Sequence, residues 1–209
     1  MKPQRARTQQ VEVGMKIEFL SGTCTGRAEA EAHIRDVYWN TYGAKLREFA
    51  PLLVVAQRLD GEILCAAGIQ TVKDGFFSDA YLNSDFSTAL QGVANVDVPA
   101  EQIMEVVSLA STTPFPVLPM LDRMIEWGRE NGMSCGVFTA TAPLRRLLRR
   151  TGLEFTELAC AQVSKVANPQ DWGSYYETDP RVCSFREVLD QPVVLSPRAR
   201  AVPFAAEAS

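Results

Sequence analysis

The chain has 209 residues, 46% of them apolar and 22% charged, which suits one large domain with a substantial core. Its net charge of −4 and pI near 5.2 argue against a nucleic-acid partner, because phosphate contacts need a surplus of Lys and Arg. The five cysteines are widely spaced with no CxxC or Cys/His cluster, so no metal is expected, and with neither a signal-peptide pattern nor a transmembrane segment the expected location is cytoplasmic.

Residues 1–14 are polar and read as a flexible N-terminus. MKIEFL, Met15 to Leu20, alternates like a half-buried strand. Arg27 to Thr41 places Ala30, Ile34, Val37, Tyr38 and Thr41 on one helical face, with Gly43 as its stop. LLVVAQR and ILCAAGIQ flank Asp60-Gly61, a hairpin signal. FFSDAYL leads toward a helix near DFSTALQGV, and MEVVSLAS (Met104 to Ser111) follows as a strand. A helix is expected from Phe115 to Asn131, with Val117, Leu118, Leu121, Met124 and Ile125 as its stripe and its prolines confined to the first turns. CGVFTAT reads as a strand, APLRRLLRRTG as a helix and LEFTELACAQV as the final strand. One domain therefore spans 15–183, followed by a Pro/Ala-rich C-terminal extension over 184–209. A meander followed by helical crossovers predicts an α/β (α+β) mixed sheet with helices on both faces. That order is similar to the GCN5-related acyltransferases.

Glu105 is the first chemical candidate, because a carboxylate inside an apolar strand is costly unless it is paired or used. It reads either as a general base with a raised pKa or as one half of an ion pair. The small residues Ser108 to Ser111 read as a tight turn or as a backbone platform for a pantetheine arm. Thr141 is placed as an N-cap. Arg145, Arg146 and Arg149 could meet a phosphate or an acidic carrier protein, against the plainer reading of a solvated helix. Trp172 and Tyr175, with glycine between them, suit a ligand mouth or a pinned loop, and His33 reads as structural.

Several stretches together resemble the thermostable haemolysin-like family: Tyr42-Gly43-Ala44 with Phe49-Ala50-Pro51-Leu52, Ala66-Ala67-Gly68-Ile69, Asp79-Ala80-Tyr81-Leu82, Ile103-Met104-Glu105-Val106 with Leu109-Ala110, FTATAPLRRLLRRTGL and WGSYYETDP. They fall in order across residues 33–182. The resemblance implies a fold similar to GCN5-related N-acyltransferases and acyl-homoserine-lactone synthases. It implies an acyltransferase that uses acyl-ACP or acyl-CoA as co-substrate, with no tightly bound cofactor, and a small-molecule amine acceptor. On that resemblance Glu105 is the base, and Val107, Ser108, Leu109 and Ala110 contact pantetheine. Phe138, Thr139 and Thr141 line the acyl side; Trp39, Tyr42, Trp172 and Tyr175 are the expected substrate-binding aromatics, and Tyr81 or Tyr175 returns a proton to the thiolate. The family strand reads Glu-Val-Gly-Asn-Leu-Ala, whereas this chain has Val107-Ser108 in place of Gly-Asn. STTPFP lacks a glycine-rich pyrophosphate loop, which favours a carrier protein over CoA. The S-adenosylmethionine pattern of the lactone synthases is not found, which directs the expectation to another amine. A homodimer through edge strands, a membrane-active protein and a non-catalytic acyl- or pantetheine-binding module are the other expectations.

Overall fold

The computed structural model describes residues 14–187 and 191–195. The expected N-terminus over 1–14 therefore lies outside the described residues except for Gly14, as does most of the C-terminal extension. Seven strands form one sheet: β1 (Met15–Ser21), β2 (Leu52–Arg58), β3 (Ile63–Thr71), β4 (Ile103–Ser111), β5 (Cys135–Ala140), β6 (Thr156–Cys160) and β7 (Arg181–Arg186), in the order β1-β2-β3-β4-β5-β7-β6. Among these described strands, only β4 and β5 run parallel to each other. Helix α1 (Arg27–Tyr42) lies on one face, α2 (Phe86–Ala89) is a single turn before β4, and α3 (Val117–Glu130) and α4 (Ala142–Arg150) lie on the other face. The mixed sheet with helices on both faces is as expected.

Local chemistry accounts for most of these elements. Gly43, at φ +68, closes α1 by donating its amide to Trp39 O. Thr141 caps α4, its hydroxyl accepting from Leu144 N. The Asp60-Gly61 turn joins β2 to β3 as an antiparallel hairpin. Strand β7 was not expected, and it corrects the boundary at 183. Its residues Arg181–Arg186 sit between β5 and β6, so the sheet runs into the expected extension. Leu195, further along, is buried in the core under α3.

The β4 strand departs from regularity at Ser108. Ala66 pairs with Ala110 and Gly68 with Val107, so β4 carries one extra residue there, and Ser108 takes a left-handed φ of +53. Glycine or asparagine is at ease in that conformation, which gives a physical reason for Asn in the family pattern. Ser108→Gly is expected to raise unfolding free energy by about 1 kcal/mol, and Ser108→Val to lower it by about 2 kcal/mol. Urea titration of the two variants checks both signs.

The bulge coincides with an opening in the sheet. Pairing between β4 and β5 stops at Val106 and Phe138, although β4 continues to Ser111 and β5 to Ala140. Beyond that point the two strands splay.

Candidate functional site

A cavity of about 410 Å³ occupies the splay. Alternation along the strands assigns its walls. Glu105, Val107, Thr139 and Gln70 point to the α1 face, while Val106, Leu109 and Phe138 point to the α3/α4 face. Both sets line the cavity, so it passes through the sheet. On the α3/α4 side it is closed by Leu121, Leu144 and Leu148, an apolar chamber. The α1 side is ringed by Tyr38, Phe49, Phe77, Trp172 and Tyr175, with Lys45, Arg47, Glu48 and Asp171 among its charged lining.

The aromatic side is held by contacts distant in sequence. Arg27 donates to the carbonyls of Ala50 and Pro51, both at 2.8 Å, fixing segment 44–51 across the sheet. Gly68 leaves room for it, since a Cβ there would meet Ala50 Cβ at 2.5 Å and Val107 Cγ2 at 2.9 Å. The long link from β6 to β7 returns over the same face. Its Gly173, at φ +49, approaches the end of α1 so closely that a Cβ would stand 2.0 Å from Tyr42 O. Ser174 N donates to that carbonyl at 2.8 Å, and Arg47 pairs with Asp171 at 3.2 Å.

Glu105 stands at the middle of this passage and is 0% exposed. Its Oε2 accepts from Phe77 N at 2.7 Å and its Oε1 from Ser78 N at 3.0 Å. Among the described residues, no cation is paired with it. Burial pushes its pKa up to about 7, against the hydrogen bonds from Ser78 and Phe77 that favour the charged form. Each carboxylate oxygen keeps acceptor capacity beyond those bonds. The group is therefore buried, oriented and poised to exchange a proton near neutrality.

The family model described as "Thermostable hemolysin" matches residues 21–188. The chain belongs to that family. No curated protein matches it by sequence. Among solved structures, this haemolysin-family chain is similar to the AHL synthase LasI at 12% identity and a TM-score of 0.56, over 83% of this chain and 90% of that one. FeeM, an N-acyl amino acid synthase from uncultured soil microbes, gives 14% and 0.56 over 83% and 91%. BjaI, a CoA-dependent acyl-homoserine lactone synthase solved with SAM and isopentyl-CoA, gives 11% and 0.56 over 90% of each chain. At these identities the likeness is one of fold, and the fold is that of the GCN5-related N-acyltransferases and acyl-homoserine-lactone synthases.

Within this haemolysin-family fold the expected residues divide. Glu105, Val107, Ser108, Leu109, Phe138, Thr139, Trp172 and Tyr175 all line the cavity. Ala110 is fully buried against the α1 core instead. Thr141 is occupied as the α4 cap. Trp39 corrects the expectation of an aromatic contact: it is 54% exposed on the outer side of α1, with Lys45 over its ring. Tyr42 packs edge-on against Tyr38 and Tyr175, behind the wall rather than on it. Tyr81 is likewise not a lining residue. It is buried, its hydroxyl meets that of Tyr176, and burial raises its pKa well above the ordinary value.

The arginine helix needs a further correction. Arg145 is 6% exposed and donates to Ala140 O at 2.8 Å and to the Asp179 carbonyl and carboxylate at 2.5 and 2.7 Å. It ties α4 to β5 and to the entry of β7, so it has no side to offer a phosphate. Arg149 is paired with Glu157 at 2.7 Å and lies over Phe155, whereas Arg146 is exposed. Arg145→Ala is expected to cost about 2 kcal/mol of stability through the buried Ala140 carbonyl it leaves unpaired and the lost packing of its stem. Thermal unfolding measures that loss, and a donor KM that stays constant separates it from a role in binding.

Sequence reading missed Gln70, Ser78, Tyr38 and Phe49 on the α1 face and Leu121, Leu144 and Leu148 in the apolar chamber. The three leucines lie on the expected helices, and their amphipathic stripes were the available signal. Ser78 carried a weaker one, a hydroxyl inside the aromatic stretch FFSDAYL.

Proposed function

We propose that the chain is an N-acyltransferase, moving an acyl group from a pantetheine thioester to an amine with Glu105 as general base. The observation that carries this reading is Glu105 itself, a buried carboxyl with a pKa of about 7 in the middle of a cavity that crosses the sheet. The acyl chain would fill the chamber of Leu121, Leu144 and Leu148, and the acceptor would enter among Phe49, Trp172 and Tyr175. Glu105 takes a proton from the amine as its nitrogen attacks the thioester carbon. The peptide groups of Val107 to Leu109, on the edge of β4 that faces β5, where pairing with β5 ends at Val106, would hold the oxyanion. Collapse of that intermediate breaks the C–S bond and releases the thiolate.

The loop before α3 and the first turn of that helix support a carrier protein as donor. Pro114, Pro116 and Pro119 have no N–H, and the amides of Thr112, Val117 and Met120 are spent on Leu64 O, Pro114 O and Pro116 O. Arg146 and Arg150 on the exposed side of α4 would meet an acidic carrier. The test is a panel of amines incubated with octanoyl-ACP or octanoyl-CoA, with thiol release and amide product followed together. The expected result is amide formed faster from octanoyl-ACP. Binding of either donor without product would favour a non-catalytic module, the reading that the Val107-Ser108 departure supports. Dye release from liposomes without any acyl donor would favour a membrane-active protein; among the described residues, no helix is long and apolar enough to cross a membrane.

A further inference from the structure

The departing thiolate needs a proton; of the two tyrosines expected to supply one, Tyr81 does not line the cavity, whereas Tyr175 does, on its aromatic side. Ser78 is fully buried, and its hydroxyl meets the Thr139 hydroxyl at 2.7 Å. The same residue gives its amide to Glu105 Oε1 at 3.0 Å, and its hydroxyl also favours the charged form of that carboxylate. Glu105 belongs to β4 and Thr139 to β5, so Ser78 bridges the two strands where they part. Thr139 is the first β5 residue after the last pair with β4, on the same face as Glu105. All three side chains line the cavity. A hydroxyl both donates and accepts, so two in series can pass a proton along without net change.

We infer that Glu105, Ser78 and Thr139 form a proton relay that carries the amine's proton to the leaving thiolate, with Thr139 as the terminal donor. The inference rests on the acyl-transfer reading. Nitrogen forms its bond to the acyl carbon and loses a proton to Glu105. The C–S bond breaks, and sulfur keeps the electron pair. Thr139 gives its hydroxyl proton to sulfur, takes one from Ser78, and Ser78 takes one from Glu105. The products are an amide and a free thiol, and Glu105 returns to a carboxylate. Thr139 is thus a catalytic residue and Ser78 links it to the base.

The test compares two donors, octanoyl-pantetheine and S-phenyl thiooctanoate, in single-turnover thiol release with hydroxylamine and the amine panel. The aryl thiolate is the better leaving group and needs little protonation. Thr139→Val is expected to slow the alkyl thioester by about 10²-fold and the aryl thioester by less than about 10-fold, with Thr139→Ser restoring most of the loss. An equal loss on both donors, or none on either, overturns the relay. Selective loss of the alkyl thioester in Tyr175→Phe but not in Thr139→Val overturns it too, and assigns the proton to Tyr175. If the wild-type chain releases no thiol from either donor with any acceptor, the acyl-transfer reading falls and the relay with it.

Discussion

Glu105→Gln is expected to slow acyl transfer by about 10²- to 10⁴-fold, the range of a lost general base, with the sheet and helices unchanged by circular dichroism. Glutamine keeps the size of the side chain and one acceptor oxygen, but it cannot take a proton from the amine. In the wild type, kcat/KM should rise with pH through about 7, because only the ionised carboxyl is a base. Stability runs the other way. The folded state raises this pKa from 4.5 to about 7, so the native chain holds the proton more tightly than the unfolded one. That contribution is complete below about pH 4.5 and is lost as pH rises through 7. Relative to Glu105→Gln, the wild type should therefore lose about 3 kcal/mol between those limits. Urea titrations of both proteins across the range measure it, and a difference that stays flat would mean Glu105 is charged throughout.

Filling the apolar chamber should produce the second large effect. Leu144 lines it from α4 without being fully buried, so the helix can accept a larger side chain there. Leu144→Trp is expected to lower kcat/KM for an octanoyl donor by about 10²-fold. Each buried methylene contributes about 0.8 kcal/mol, and exclusion of three or four of them reaches that factor. An acetyl donor should change by less than about 3-fold, since its chain does not reach the leucines. Equal losses on the two donors would put the acyl group elsewhere.

Most of the scaffold was legible because its signals are local. Alternation marked β1 and β4, Asp60-Gly61 marked the hairpin, and Gly43 and Thr141 marked helix ends. Glu105 was legible for the same reason, as an acid out of place in an apolar strand. What escaped depends on contacts between distant segments. The β7 strand inserts between β5 and β6, a pairing that no neighbouring residue announces. Arg145 and Arg149 share one helix and one composition, yet the first turns inward to Asp179 while the second stays at the surface. Tyr81 belongs to a turn whose position is set by amides 77 and 78 docking on Glu105, which carries its ring away from the cavity. Ser78 is useful only because that docking brings it against Thr139, 61 residues on.

The most direct measurement is a crystal structure of the protein with a thioether analogue of octanoyl-pantetheine. The acyl chain is predicted between α3 and α4, among Leu121, Leu144 and Leu148. The reactive carbon should lie at the Ser108 bulge, beside Glu105 and Thr139, with the aromatic side of the passage left for the acceptor. An acyl chain lying among Phe49, Trp172 and Tyr175, or an analogue bound outside the splay between β4 and β5, would contradict the account.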